Sequence, residues 1–187
     1  MDPAPNLVLV GPMGAGKSSI GRRLARRLGL GFVDLDREIE ERTGASVSTI
    51  FECEGEEGFR TRERAALADV LEGSGLVVAT GGGAVLDAGN RDLMRTRGFV
   101  VYLHVTVEEQ LQRLARDRTR PLLAGGDREA VLRRLAEERG PLYRDASHLR
   151  FDAVSESSQA ACARLARLLQ EHWRAPSAAA AQGADPA

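Results

Sequence analysis

The sequence predicts a three-layer α/β/α domain, in which helices cover both faces of a five-stranded parallel sheet. Short apolar runs typical of buried strands alternate with stretches in which apolar residues recur at helical spacing. Strands that alternate with helices in this way favour parallel pairing, because a parallel connection needs a crossover segment. The predicted strands span 7–10, 32–35, 76–80, 99–103 and 149–151.

The predicted helices fill the intervals between these strands. In the first, Ile20, Leu24 and Leu28 recur at the spacing of one helical face, and arginines occupy the other face. Asp36 is suited to begin the second helix and Gly44 to end it. A long helix is expected to be interrupted near Gly55 and Gly58. The predicted helices span 18–28, 36–44, 46–71, 88–96, 107–115, 128–138 and 158–173.

Length and composition indicate one ordinary globular domain. The chain has 187 residues, of which 43% are hydrophobic and 28% charged, with a formal net charge of -1. This balance gives no electrostatic reason to expect a nucleic acid or membrane partner. Cys53 and Cys162 form no CxxC pattern, and the N-terminus lacks a leader pattern, so a cytoplasmic protein is expected. We predict one domain over 1–174 and a disordered, alanine-rich tail over 175–187.

The most specific motif is a phosphate-binding loop, or P-loop. Residues 11–18 read GPMGAGKS and match GxxxxGK[ST] between a predicted strand and a predicted helix. A glycine-rich turn could match by chance, but the flanking strand and helix favour the P-loop. In such loops the lysine contacts the β- and γ-phosphates and the following hydroxyl ligates Mg²⁺. The predicted ATP-binding residues are Gly14, Ala15, Gly16, Lys17, Ser18 and Ser19.

Two carboxylates follow the second predicted strand. Asp34 and Asp36 are expected at the carboxyl edge of the sheet, where ligands bind in open α/β folds. If the segment is extended, both side chains point the same way. One carboxylate can then serve the metal shell, and the other can orient an acceptor hydroxyl. The plainer alternative is that Asp36 only caps the next helix.

Three further groups are weaker candidates. Arg60 and Glu63 share a helix face, which suits either a carboxylate-binding arginine held by a glutamate or a surface ion pair. The glycines at 81–83 follow a strand and suit either close ligand approach or a plain turn. Arg139 precedes Gly140 and Pro141, and is either a second carboxylate ligand or a partner of the helix dipole.

A mobile lid is predicted at about 113–127, a polar, basic and glycine-bearing segment. A kinase must exclude water from the γ-phosphate, and a closing loop that carries an arginine can do this. Arg120 is the candidate within this segment. Arg113 is a further candidate for gripping the nucleotide, or is simply solvated.

Taken together, the motifs resemble those of the shikimate kinase family of small P-loop kinases. The resemblance covers about residues 7–173, most of the chain. The first of the motifs is shared by many nucleotide-binding proteins, whereas the ordered set is specific. The set comprises GPMGAGKS at 11–18, VDLD at 33–36, FRTRE at 59–63, TGGG at 80–83, RPLL at 120–123 and ERGPLY at 138–143.

The resemblance implies a fold of the nucleoside-monophosphate-kinase type and a role for each motif. It implies that ATP, with Mg²⁺, phosphorylates the 3-hydroxyl of shikimate, a step towards chorismate and the aromatic amino acids. It implies that Asp36 binds and positions the substrate hydroxyls and that Asp34 lies near the Mg²⁺ shell. It implies that Arg60 and Arg139 bind the shikimate carboxylate, with Glu63 supporting Arg60. It further implies that Gly82 contacts the substrate through its backbone and that Arg120 contacts the phosphates.

Two alternatives remain open from the sequence. One is another small kinase, for gluconate or a nucleoside monophosphate, although no base pocket is visible. The other is a non-catalytic nucleotide-binding module, which would need neither Asp36 nor Arg120. The adenine pocket is unassigned, and a monomer is expected because nothing in the sequence demands an oligomer.

Overall fold

The computed structural model describes residues 4–115, 127–153 and 157–173. All five predicted strands are confirmed, each within two residues of the expected bounds. The strands are β1 (Asn6–Val10), β2 (Gly31–Asp34), β3 (Leu76–Ala79), β4 (Gly98–His104) and β5 (Leu149–Asp152). The α-helices are α1 (Lys17–Leu28), α2 (Leu35–Thr43), α3 (Val47–Glu72), α4 (Ala88–Arg97), α5 (Val107–Leu114), α6 (Arg128–Ala146) and α7 (Ser158–His172), and a 3₁₀ turn spans Ala84–Leu86.

The strands form one parallel sheet in the order β2-β3-β1-β4-β5. Strand β1 is central, with β3 on one side and β4 on the other. Because every strand runs the same way, the segments that follow β1, β2 and β3 all leave the sheet at its carboxyl edge. The phosphate loop and the glycines at 81–83 lie in these segments, and the two aspartates lie at the end of β2 and just after it.

Both faces of the sheet are buried under helices, as the predicted three-layer fold requires. Along β1, Leu7 and Leu9 face a core built mainly with α1 and α7. The alternate residues, Val8 and Val10, face a second core built with α2, α3, α4 and α6. All four side chains have no solvent exposure, which explains why this strand reads as a continuous apolar run.

Two helices differ from the sequence expectation. Helix α3 is interrupted at Gly55 alone, where φ is 70° and ψ is −175°, whereas Gly58 keeps helical geometry. Helix α6 does not end near Glu138 but continues through Pro141 to Ala146. Proline removes one backbone hydrogen bond from a helix. Burial of Tyr143 and Ala146 against the sheet offsets that loss.

Most of the predicted lid and all of the predicted tail lie in parts of the chain that the structure does not describe. Residues 116–126, which include Arg120, and the tail at 175–187 lie outside the described residues. The ends of the predicted lid are described: Arg113 belongs to α5, and Asp127 is the N-cap of α6. Among the described residues, no helix is both long enough and apolar enough to cross a bilayer.

Candidate active site

The phosphate loop has a backbone that only glycine adopts easily. The φ angles of Gly11, Gly14 and Gly16 are 142°, 77° and 88°. A Cβ at Gly11 would also lie 2.4 Å from the carbonyl oxygen of Leu103, so no side chain fits there. Gly16 is the N-cap of α1, which puts the positive end of the helix dipole at the loop. This arrangement suits a phosphate group.

Lys17 lies across the phosphate loop. Its Nζ donates hydrogen bonds to the carbonyl oxygens of Gly11, at 2.7 Å, and Pro12, at 2.9 Å. Ser18 and Ser19 line the adjoining cleft together with Gly14 and Gly16. Ala15 differs from its neighbours: its side chain is buried in the core, and its N–H donates to the carbonyl of Pro12. Only the backbone of Ala15 is therefore suited to contact a nucleotide.

A cleft of about 780 Å³ lies beside the loop, and both predicted aspartates line it. The geometry that brings them there differs from the expected one. Strand β2 ends at Asp34, and Asp36 lies in the first turn of α2 rather than on an extended segment. The two carboxylates still reach one cleft, because the strand end and the helix start both lie at the carboxyl edge of the sheet.

A second cavity continues from this cleft. Met13, Asp36, Val47, Gly81 and Gly82 line both. The side chains that line only the second cavity are Phe51, Phe59, Arg60, Glu63 and Arg139. The predicted carboxylate ligands Arg60 and Arg139 are therefore brought together in one place, with Asp36 at the boundary between this cavity and the phosphate loop.

Arg60 is held from two sides. Its Nη1 lies 2.7 Å from Oε2 of Glu63, and its Nη2 lies 2.9 Å from Oε1 of Glu56. The side chain of Glu63 is fully buried, so the pair is not the surface ion pair considered from the sequence. Burial raises the pKa of Glu63, and the neighbouring Arg60 guanidinium opposes that rise. Glu56 has no role in the sequence-based interpretation.

Several buried polar atoms in this cavity have no hydrogen-bond partner within the described part of the chain. They are Nε of Arg60, Nε of Arg139 and Oε1 of Glu63. Leaving such groups buried and unsatisfied is costly, so they indicate a site for a polar ligand. Two arginine donors suit an anion, and a carboxylate oxygen suits a hydroxyl.

Gly81 and Gly83 allow the charged side chains to approach the backbone. A Cβ at Gly81 would lie 2.7 Å from Oε1 of Glu63 and 2.9 Å from Oδ1 of Asp36. A Cβ at Gly83 would lie 2.1 Å from Nη2 of Arg60. The guanidinium and both carboxylates therefore contact space that any other residue would fill, which argues against a plain turn.

Tyr143 holds the backbone of Gly82 in place, a role that the sequence-based interpretation did not assign to Tyr143. Its buried hydroxyl donates a hydrogen bond to the carbonyl of Gly82, and its ring stacks on Tyr102 at 5.1 Å between centroids. Burial raises the pKa of Tyr143. Because this residue ends the ERGPLY segment, its proximity to Arg139 in sequence was the available signal.

Arg113 joins the phosphate loop to the segment after β5. Its Nη1 donates to the carbonyl of Gly14 at 3.1 Å, and its Nη2 donates to the carbonyl of Ala153 at 2.8 Å. It is thus fixed beside the loop rather than freely solvated. The predicted phosphate ligand Arg120 lies outside the described residues.

The donor set fits a divalent cation that arrives with the nucleotide. Ser18, Asp34 and Asp36 supply oxygen atoms to the same cleft as Lys17, and Mg²⁺ prefers oxygen ligands. No group of three or more His, Cys, Asp or Glu side chains able to hold a metal occurs in the described ranges. A cation held by one or two protein oxygens and by phosphate oxygens needs no such group.

Comparison with known proteins identifies the family. The family model described as shikimate kinase matches residues 13–170. Shikimate kinases of Stenotrophomonas maltophilia strain K279a and Xanthomonas campestris pv. campestris strain 8004 are 58% and 56% identical to the chain, each over 93% of this chain and 97% of the relative. The structure of shikimate kinase from Acinetobacter baumannii in complex with shikimate superposes with a TM-score of 0.87 at 47% identity, covering 89% of this chain and 93% of that one. The chain belongs to the shikimate kinase family and is an ATP-dependent kinase.

Proposed function

We propose that the chain transfers the γ-phosphoryl group of ATP to the 3-hydroxyl of shikimate, giving shikimate 3-phosphate and ADP. The observation that carries this proposal is the cavity that continues from the phosphate loop. It holds two buried arginine donors and one buried carboxylate acceptor without partners among the described residues. A carboxylated polyol offers the complementary groups.

The acceptor binds with its carboxylate at Arg60 and Arg139. Glu63 keeps the Arg60 guanidinium in place through the 2.7 Å contact. The hydroxyl groups face Asp36, the second oxygen of Glu63 and the backbone of Gly82. Phe51 and Phe59 form an apolar wall on one side of the cavity, against which the carbon ring of the acceptor packs.

The nucleotide binds at residues 14–19. Its phosphates take the place of the loop carbonyl oxygens as partners of Lys17. Ser18 and Asp34 would hold the Mg²⁺, which would supply positive charge that neutralises the phosphates. Arg120, which lies outside the described residues, is assigned to contact with the phosphates.

Catalysis then depends on positioning and on stabilisation of negative charge rather than on a covalent intermediate. Asp36 orients the 3-hydroxyl and accepts its proton as the oxygen–phosphorus bond forms in line with the departing ADP. Lys17 and Arg120 stabilise the charge on the transferred group. We further propose that the chain forms a single catalytic domain over 1–174 and acts as a monomer in the cytoplasm.

A coupled ADP-release assay with Mg²⁺-ATP tests the proposal. Shikimate, gluconate and a nucleoside monophosphate are run in parallel, and we expect turnover with shikimate alone. Turnover with another acceptor only would retain the P-loop kinase but reject the roles of Arg60 and Arg139. ATP binding without turnover on any of the three would favour the non-catalytic module.

A further inference from the structure

Two carboxylates contact the Arg60 guanidinium, and they differ in how far they are exposed to solvent. Glu63 contacts it from the inside and is fully buried. Glu56 contacts it from the outside, and 49% of the Glu56 side chain is exposed, against 19% of Arg60. The inner pair supports Arg60, whereas the outer pair adds a carboxylate beside the acceptor cavity.

The outer carboxylate uses only part of the available donor edge. In a guanidinium, Nε and one terminal nitrogen form a parallel pair of donors that matches both oxygens of a carboxylate. Glu56 Oε1 lies 2.9 Å from Nη2, while Nε of Arg60 has no partner among the described residues. A carboxylate that bonds both nitrogens would therefore form one more charge-assisted hydrogen bond than Glu56 does.

Glu56 has little burial to lose on leaving Arg60, because half of its side chain is exposed. It directly follows Gly55, where the non-helical φ and ψ interrupt α3. A half-exposed carboxylate is rehydrated when it leaves, whereas buried Glu63 would lose its partner without gaining water. Three carboxylates around one guanidinium would repel each other, so binding of an anionic acceptor at Arg60 displaces Glu56.

We propose that Glu56 is a specificity-determining residue that occupies the acceptor-carboxylate position at Arg60 in the free enzyme and is displaced by the substrate. This inference rests on the proposed binding of the shikimate carboxylate by Arg60. Glu56 keeps Nη2 of Arg60 paired when the site is empty. Neutral acceptors, which offer no anion in exchange for Glu56, are thereby disfavoured.

The test is the KM for shikimate in Glu56→Gln, with Glu57→Gln as a matched control. Glu57 is the next residue, is exposed and makes no ion pair among the described residues, so its substitution removes the same charge without touching Arg60. We expect Glu56→Gln to lower the KM by about two- to fivefold, the range of a partly exposed ion pair, with kcat unchanged. Glu57→Gln leaves both values unchanged.

The shikimate methyl ester provides a second measurement. As a competitive inhibitor it lacks the carboxylate, so Glu56→Gln should change its inhibition constant by less than it changes the KM for shikimate. A KM that rises or stays constant in Glu56→Gln would overturn the inference, because Glu56 would then orient Arg60 or do nothing. An equal gain for the ester and for shikimate would also overturn it.

Arg60→Ala separates this inference from the proposed function. If its shikimate KM is unchanged while the protein remains folded by circular dichroism, the carboxylate role of Arg60 fails. If its KM rises but Glu56→Gln has no effect, only the displacement fails. In the double variant we expect no further gain from Glu56→Gln, because the group for which the two carboxylates compete is gone.

Discussion

Substitution of Gly83 by alanine should displace Arg60 without disrupting the fold. The backbone of Gly83, with φ of −101° and ψ of −3°, is accessible to alanine. The added Cβ would lie 2.1, 2.4 and 2.5 Å from Nη2, Cζ and Nη1 of Arg60, closer than real contacts allow. These atoms are the far end of a flexible side chain, so the guanidinium moves and the backbone stays.

The size of the effect follows from the contact that is lost. A hydrogen bond to a charged group contributes about 1.5–3 kcal/mol, and about 1.4 kcal/mol corresponds to a tenfold change in affinity. Gly83→Ala should therefore raise the KM for shikimate by about 10- to 100-fold. The KM for ATP should stay unchanged, because Gly83 does not line the cleft beside the phosphate loop.

The coupled ADP-release assay measures both constants, and urea denaturation measures the free energy of unfolding. Gly140→Ala is the matched control: its Cβ would meet only Nη1 of Arg144, at 3.7 Å, inside a helix. The control should keep the shikimate KM and gain roughly 0.5–1 kcal/mol of stability. An unchanged shikimate KM in a folded Gly83→Ala protein would refute the carboxylate role of Arg60.

Three further predictions concern the chemical step, the glycine turn and pH. Asp36→Asn should lower kcat by about 100-fold or more while ATP binding persists; turnover near the wild-type rate would exclude Asp36 as the proton acceptor. Tyr143→Phe leaves the Gly82 carbonyl without its donor and should cost about 1–3 kcal/mol of stability by urea denaturation; an unchanged unfolding midpoint would contradict this. His148 accepts a hydrogen bond from the N–H of Val100 at 2.9 Å, and burial lowers its pKa. The unfolded chain then binds a proton that the folded one rejects, so stability present above about pH 6.5 is lost as pH falls through that value. His148→Asn should remove this part of the pH dependence; an equal loss of stability between pH 7.5 and 5.5 in both proteins would contradict the reasoning.

The alternation of apolar strands with amphipathic helices predicted the three layers, because each strand and each helix is a short continuous segment of the sequence. Val8 and Val10 are buried under one helical layer while Leu7 and Leu9 are buried under the other, so burial on both faces leaves a continuous apolar run. Helix ends were less predictable. A proline normally ends a helix, but α6 continues through Pro141 because Tyr143 and Ala146 pack into the core.

The roles of the individual site residues stay predictions. The surroundings of these residues in the fold nevertheless help to choose between the alternatives that the sequence left open. Taken alone, the spacing of Arg60 and Glu63 favoured a surface ion pair over a ligand-binding arginine. The burial of Glu63, a residue of α3, and its approach to Gly81 are long-range facts that no local pattern contains. Tyr143 was overlooked for the same reason, since it acts on Gly82, which is distant in sequence. Glu56, in contrast, lies only four residues before Arg60.

Local patterns in the sequence were sufficient to predict the α/β/α fold and the phosphate loop, and the ordered set of motifs was sufficient to predict the family. These depend on local spacing: a strand, a glycine-rich turn and a helix N-terminus lie within about twenty consecutive residues. Asp36, Arg60, Gly82 and Arg139 meet around one cavity through tertiary packing, although Asp36 and Arg139 are more than a hundred residues apart in the sequence. Parallel strands end at one edge of the sheet, and packing of α3 and α6 against it decides which side chains meet there.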